Sequence, residues 1–135
     1  MGRKQAREGT MKVLYQMEVN DDFSDDALNI YFNNFPFEEL EKEYILDAMT
    51  KIKENLDSID KYIELYSEGW NLNRLAKIDL AVLRIAVYEI LYRKDIPVEV
   101  SINEAIEIVK KYSTEESFRF INGVLGGFVR NIDKK

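Results

Sequence analysis

The sequence predicts an all-α fold, and three observations support this prediction. Residues 75–92 contain no Gly or Pro, and at about 100° per residue their apolar side chains cover most of the helix circumference. Elsewhere apolar residues recur three or four positions apart, and no segment shows the alternation of a strand. Charged residues interrupt the central segment, so we expect no membrane span. A helix that is apolar nearly all round must be enclosed, so we predict a helical domain wrapped round residues 75–92.

Length and composition favour one non-enzymatic domain. The 135 residues suit a single domain that buries roughly two thirds of its unfolded surface. The absence of Cys and His removes thiolate chemistry and the commonest general base and metal ligand. No catalytic triad, phosphate loop or zinc spacing occurs, so we expect no cofactor and no metal site. The first residues lack an apolar signal core, and a cytoplasmic location is expected.

The net charge of −6 hides an uneven distribution. The first 12 residues carry four cations and one acid, whereas residues 18–68 carry fifteen acids and four lysines. A basic terminus on an acidic body indicates a local, not a global, anion-binding surface.

The first half of the chain should contain several helices. Residues 3–19 have one face that should be core, made of Ala6, Thr10, Val13, Leu14 and Met17. Ser24 is placed to cap a short second helix that ends at Pro36. The apolar spacing that follows predicts one long helix or two, and we favour a break near Asn55. Trp70 is expected to pack between the two halves of the molecule.

The second half should hold two helices after the central one. An extended link is predicted at Ile96-Pro97, because the residue before proline avoids the helical region. Two capping boxes follow, Ser101 with Glu104 and Ser113 with Glu116. The last helix is expected to pack on the core through a narrow apolar face made of Phe118, Ile121, Leu125, Phe128 and Ile132. Each glycine inside that helix costs roughly 1 kcal/mol relative to alanine. We therefore expect close helix approach at Gly123, Gly126 and Gly127.

The basic start is the first candidate for a functional surface. Lys4 and Arg7 can neutralise phosphate while the adjacent Tyr15 ring stacks on a base. Single-stranded RNA suits it better than duplex DNA, because four cations are too few to coat a long duplex. The plain alternative is a solubilising, frayed terminus.

Phe120 is the second candidate. It lies about 200° round the helix from Phe118, so the narrow apolar face does not require it. Beside Lys110, Lys111 and Arg119 it would extend a nucleic-acid surface, and packing against the N-terminal helix is the alternative.

Glu89, Asn103 and Asn122 form a third set. Glu89 projects near apolar residues, so if buried it needs a donor, and Arg93 is available at i+4. We favour a structural polar network over catalysis, since the sequence reveals no cleft.

Several segments, taken together, resemble the NusB family of bacterial transcription antitermination factors. They are Arg3-Lys4-Gln5-Ala6-Arg7-Glu8, Leu14-Tyr15-Gln16, Leu83-Arg84-Ile85-Ala86-Val87-Tyr88-Glu89, Ile102-Asn103-Glu104-Ala105 and Phe120-Ile121-Asn122-Gly123-Val124-Leu125. Each motif is weak alone, but their order and spacing in a chain of this size are specific. The similarity runs end to end.

The resemblance implies a single domain over residues 1–135, with about seven helices in two helical-bundle subdomains, about 1–68 and 69–135. It also implies a protein without enzymatic activity. Members of the family bind the boxA element of nascent RNA jointly with the small-subunit ribosomal protein NusE. With RNA polymerase and other Nus factors, they promote processive transcription of ribosomal RNA operons.

The resemblance also implies roles for particular residues. With Lys111 added from the Phe120 surface, the expected RNA-binding residues are Arg3, Lys4, Arg7, Lys111, Glu116 and Phe120. Glu116 matches an acidic position beside the RNA surface, where a carboxylate repels phosphate. The expected NusE surface comprises Tyr15, Arg74, Lys77 and Asp79.

Two departures from the family pattern matter. The basic start is shorter than in some members, so we expect low RNA affinity without NusE. Leu80 stands where a basic residue is common, which bears on the polar contacts round Asp79.

The leading hypothesis is therefore a non-enzymatic adaptor for RNA and NusE. The alternative is a helical protein-interaction module without RNA binding, whose basic start docks on an acidic partner. The partly apolar partner surface would allow a weak homodimer, and otherwise we expect a monomer.

Overall fold

The computed structural model describes residues 2–34, 38–69 and 71–132, and it confirms the all-α fold. Within these ranges the chain forms no strand. The helices are α1 (Arg3–Asn20), α2 (Asp25–Asn34), α3 (Glu39–Glu54), α4 (Leu56–Leu65), α5 (Lys77–Tyr92), α6 (Val98–Tyr112) and α7 (Glu115–Ile132), with a 3₁₀ turn at Leu72–Arg74. None of these described helices is long and apolar enough to cross a membrane. The predicted stop at Pro36 and the packing of Trp70 lie outside the described residues.

Helix α5 is the centre of the molecule, as its nearly continuous apolar surface predicts. Residues 79–89 are all buried, and α5 packs against α1, α3, α4, α6 and α7. It begins at Lys77, slightly later than predicted, because the 3₁₀ turn and an extended Leu75 precede it. Since α5 contacts helices from both halves of the chain, the subdomain boundary near residue 68 stays a prediction.

The helices before α5 follow the predicted pattern. The whole predicted core face of α1 is buried where α1 packs on α3 and α5. Ser24 caps α2, since its Oγ accepts a hydrogen bond from the Ala27 amide at 3.2 Å. The break at Asn55 is confirmed, and the Asn55 side-chain amide donates to the Lys51 carbonyl at 2.9 Å.

The predicted starts of the last two helices are only partly correct. Helix α6 begins at Val98 after Pro97, so Ser101 is not its cap. Ser101 is instead buried, with its hydroxyl turned toward α5. Helix α7 begins where expected, but Thr114, not Ser113, caps it by accepting the Ser117 amide at 3.1 Å. In both cases the serine hydroxyl donates a hydrogen bond to a buried carboxylate of α5 and does not cap its own helix.

The three glycines of α7 have different surroundings, so close helix approach does not explain all of them. A Cβ placed on Gly127 would lie 3.1 Å from the Tyr66 ring of the chain segment after α4. A Cβ on Gly123 would meet nothing within 4 Å, and on Gly126 only the Arg130 side chain at 3.3 Å. The expectation of close helix approach is therefore wrong at Gly123, which is exposed, and at Gly127 the approaching group is an aromatic ring.

Candidate nucleic-acid interface

The first turn of α1 presents two cations at the surface. Arg3 and Lys4 are both exposed. The Arg3 guanidinium lies 3.9 Å from the Asp95 carboxylate and 5.5 Å from the centre of the Tyr44 ring. The Lys4 ammonium donates to Glu104 of α6 at 3.5 Å. Both cations are accessible from solvent, and each lies close to a carboxylate.

Arg7 does not share that surface. Its side chain is 6% exposed, and its guanidinium donates to the Glu89 carboxylate at 2.6 Å and 3.2 Å. Burial alone would lower the pKa of Arg7, but the hydrogen bonds and charge of Glu89 outweigh burial and raise it. Arg7 therefore stays charged in the interior. The structure places it away from the predicted RNA surface, because its face of α1 packs on α5.

Glu89 is the acceptor at the middle of a buried polar network. Besides Arg7, the Tyr44 hydroxyl donates to it, and the Ser101 hydroxyl donates at 2.8 Å. Burial, with the neighbouring Glu89 charge, holds the pKa of Tyr44 well above its usual range, so the phenol remains a donor. The predicted network exists, but its predicted donor is wrong. Arg93 binds Asp95 instead, through two hydrogen bonds of 2.9 Å.

Asn103 and Asn122 lie outside this network, and both are exposed. The reason is helical geometry, since Ser101 takes the inward position on α6 and Asn103 follows about 200° round the helix. The prediction that these two amides belong to the buried network is therefore wrong.

A second set of contacts bridges α1 and α6 one turn beyond Lys4. The Lys111 ammonium lies 2.9 Å and 3.3 Å from the two carboxylate oxygens of Glu8, and the Tyr112 hydroxyl donates to Glu8 at 2.6 Å. Burial alone would raise the pKa of Glu8, but the hydrogen bonds from Tyr112 and Lys111 lower it. Lys12 lies 5.7 Å from the centre of the Tyr112 ring. Lys111 is thus exposed and already neutralised by Glu8.

Glu116 and Phe120 follow on the first turns of α7. Glu116 is exposed, and Phe120 is half-buried against the core cluster. The short turn between α6 and α7 separates Lys111 from Glu116. Phe120 therefore offers only part of its ring to solvent.

The residues predicted to meet a protein partner divide between surface and interior. Arg74 is exposed in the 3₁₀ turn before α5, Lys77 is exposed at the start of α5, and Tyr15 is exposed on α1. Tyr15 lines a groove of about 480 Å³ between α1 and α2, whose walls include Ile30 and Ile78. A largely apolar groove of this size can accept apolar groups of a ligand.

Asp79 lies in the interior and not on the predicted partner surface. Its two carboxylate oxygens accept hydrogen bonds from Ser113 at 2.9 Å and from Ser117 at 2.6 Å. The corner between α6 and α7 covers the first turn of α5, and this packing buries Asp79. Leu80, the departure from the family pattern, is buried beside it. Asp79 therefore ties the α6–α7 corner to the central helix.

The long-range pairing of three groups of this site has no local sequence signal: these groups are the Glu8 and Glu104 carboxylates and the Tyr44 hydroxyl. Glu8 bonds a residue 103 positions away, and Tyr44 bonds one 45 positions away. Helical periodicity relates residues within a few turns, so it cannot connect such pairs.

Comparison with known proteins gives a consistent result. The family model described as NusB family matches residues 4–130. A transcription antitermination protein NusB from Thermoanaerobacter sp. (strain X514) is 52% identical over 132 residues, which is 97% of this chain and 92% of the relative. Another, from Alkaliphilus oremlandii (strain OhILAs), is 50% identical over 129 residues, covering 96% of this chain and 94% of the relative.

Solved structures of related proteins have a fold similar to that of this chain. The structure of T. maritima NusB is similar with a TM-score of 0.87 at 42% identity, over 96% of this chain and 92% of that one. A chain in a crystal structure of antitermination factors NusB and NusE in complex with dsRNA has a TM-score of 0.83 over 96% of both chains. Its identity is 24%, so that similarity concerns the fold alone.

Proposed function

This chain belongs to the NusB family and is a transcription antitermination factor, not an enzyme, and we propose that it binds boxA-type single-stranded RNA jointly with ribosomal protein NusE. The observation that carries the proposal is the exposed pair Arg3 and Lys4 on a helix that is fixed to the core. Cations that stand on a rigid helix reach phosphates without prior ordering of the backbone.

The buried ion pair of Arg7 with Glu89 fixes the helix that carries Arg3 and Lys4. It holds α1 against α5 one turn after Lys4, at a nitrogen-to-oxygen distance of 2.6 Å. Because Arg3 and Lys4 stand on the same helix, fixing Arg7 fixes their direction as well. Arg7 thus supports RNA binding by positioning α1 and does not need to touch the RNA.

The partner surface is proposed to start on the other end of the same helix. Tyr15 follows Lys4 by eleven residues, which corresponds to about 16 Å along α1. A protein seated in the groove beside Tyr15 would stand close enough to extend the RNA surface. Each protein then contributes part of one RNA site, and joining them adds contacts that neither makes alone.

The same family membership supports a wider proposal. We propose that the complex acts on ribosomal RNA operons, together with RNA polymerase and other Nus factors, in the cytoplasm. Without its partner the chain should be a monomer or a weak homodimer that uses the Tyr15 groove. Sedimentation of the purified chain, with and without NusE, measures this directly.

The decisive experiment is a charge reversal on α1. We expect Arg3→Glu with Lys4→Glu to weaken binding of boxA RNA and to reduce the slope of log affinity against log salt by about 1.4, or about 0.7 for each lost phosphate contact. The matched control is Lys51→Glu with Lys61→Glu, which changes the net charge equally on α3 and α4. Helicity should be unchanged in both variants.

Gel shifts with and without NusE separate the alternatives. A shift that strengthens when NusE is added supports joint binding. No shift in either lane would instead support a protein-interaction module without RNA binding. An unchanged salt slope in the α1 variant would overturn the assignment of Arg3 and Lys4.

A further inference from the structure

The exposed cations at the junction of α1 and α6 have carboxylate partners from the protein itself. Lys4 pairs with Glu104 at 3.5 Å, and Lys111 pairs with Glu8 at 2.9 Å. Glu104 also lies 3.5 Å from the Arg7 guanidinium. The two pairs alternate in sign, since α1 supplies the cation of the first and the acid of the second. A phosphate approaching this junction therefore meets a surface that is locally neutral.

Exposure within each pair is unequal. The side chains of Lys4 and Lys111 are 61% and 60% exposed, whereas those of Glu104 and Glu8 are 20% and 19% exposed. The carboxylates are the fixed partners, and Glu8 is held further by the Tyr112 hydroxyl at 2.6 Å. The lysines are the mobile partners, because a long exposed side chain changes rotamer without disturbing the core.

Ion pairs of this exposure contribute little to stability, so they can be exchanged. This separates them from the Arg7 pair with Glu89, in which both side chains are almost fully buried. A phosphate can replace Glu8 or Glu104 as the partner of a lysine while the fold stays intact. The displaced carboxylate then remains close to the phosphate and repels it.

From this geometry we infer that Glu8 and Glu104 set the RNA affinity of the surface, by holding Lys111 and Lys4 in ion pairs that the RNA phosphates must displace. The inference rests on the proposed RNA-binding function and deepens it. These two carboxylates act as internal competitors of the RNA backbone. They make binding weak unless further contacts, such as those of a second protein on the same RNA, are added.

The test uses Glu8→Gln, Glu104→Gln and the double variant of the full chain. Glutamine keeps the shape and an acceptor for the Tyr112 hydroxyl but removes the charge. The matched control is Glu107→Gln, because Glu107 is exposed on the same helix as Glu104 and its removal changes the net charge equally. The probe is a fluorescein-labelled single-stranded RNA of about 12 nucleotides that carries a boxA sequence, titrated by anisotropy at several salt concentrations.

We expect each single variant to bind the RNA about threefold to fivefold more tightly, and the double variant about tenfold, in proportion to the strength of exposed ion pairs. The salt slope should change little, because the same two lysines contact phosphate in the wild type and in the variants. The Glu107→Gln control should change affinity less than twofold, with an unchanged slope.

The outcomes separate the inference from the function on which it rests. Equal affinities for the wild type and every glutamine variant would overturn the inference alone, since RNA would still bind. An equal gain in the Glu107→Gln control would also overturn it, because the effect would then be one of net charge. Absence of binding by every protein, the double variant included, would overturn the inference and the proposed function together.

Discussion

Replacing Arg7 by methionine tests how far α1 depends on its buried ion pair. The Arg7 and Glu89 side chains are 6% and 1% exposed, so Arg7→Met leaves a carboxylate charge inside the protein. Breaking a buried pair on one side costs about 3 to 5 kcal/mol. The Tyr44 and Ser101 hydroxyls still donate to Glu89, which favours the lower end, about 3 kcal/mol. For a chain of this size the midpoint of thermal unfolding should fall by about 10 °C.

The assay is urea unfolding followed by far-ultraviolet circular dichroism, arranged as a double-mutant cycle. Arg7→Met with Glu89→Gln removes both charges, so it should recover about 1 to 2 kcal/mol relative to Arg7→Met alone. Lys53→Met is the control, because it breaks the surface pair of Lys53 with the exposed Asp25 and should cost less than about 1 kcal/mol. A loss below about 1 kcal/mol for Arg7→Met would refute the reasoning, as would strictly additive losses in the double variant.

The same variant distinguishes a positioning role from direct RNA contact. At a temperature where Arg7→Met is still folded, RNA affinity should fall while the slope of log affinity against log salt stays unchanged, because no phosphate contact is lost. A slope reduced by about 0.7 would instead return Arg7 to the set of direct RNA contacts. Arg3→Met supplies the comparison, since its exposed guanidinium should contribute to the slope.

Three further predictions concern stability. Glu8 has a lowered pKa, because the hydrogen bonds that Tyr112 and Lys111 donate to its carboxylate outweigh burial. These contacts stabilise the fold by less than about 1 kcal/mol, and this contribution is present above about pH 4.5 and lost as the pH falls below that value. Unfolding of Glu8→Gln and of the wild type should therefore differ slightly at pH 7 and converge in acid. Gly123→Ala should stabilise α7 by roughly 1 kcal/mol, whereas Gly127→Ala should gain less or lose, because its Cβ would meet the Tyr66 ring at 3.1 Å; equal thermal midpoints would contradict this. Asp79→Ala should cost about 1 to 3 kcal/mol, because two serine hydroxyls lose their buried carboxylate acceptor. An unchanged midpoint in urea unfolding would contradict this prediction.

Helix positions could be predicted because each helix depends on residues that are neighbours in sequence. The core face of α1 and the break at Asn55 follow from apolar spacing within a few turns. The enclosed position of α5 follows from its own lack of a polar face. The helix starts were less predictable, because Ser101 and Ser113 have the right spacing for caps but bond to α5.

The sequence predicted most of the exposed cations of the candidate surface, but it did not predict which carboxylate each cation meets. Arg3, Lys4 and Lys111 are exposed as a basic surface requires. Arg7 is adjacent to Lys4 on α1, and nothing in the local sequence marks it as the cation that turns inward. Asp79 poses the same difficulty, because its burial depends on the corner between α6 and α7, more than thirty residues further along the chain.

By itself, the sequence determined the fold class, the order and approximate bounds of the helices, and the family to which the chain belongs. These properties depend on short-range periodicity and on motifs that are contiguous in the chain. Only the tertiary structure decided which charges are buried and which carboxylate each cation meets. Arg7 and Glu89 are 82 positions apart, and their pairing arises because α1 and α5 pack together in three dimensions. Burial and electrostatic partners depend on that packing, and so the packing separates the cations that hold the fold from those that remain available to RNA.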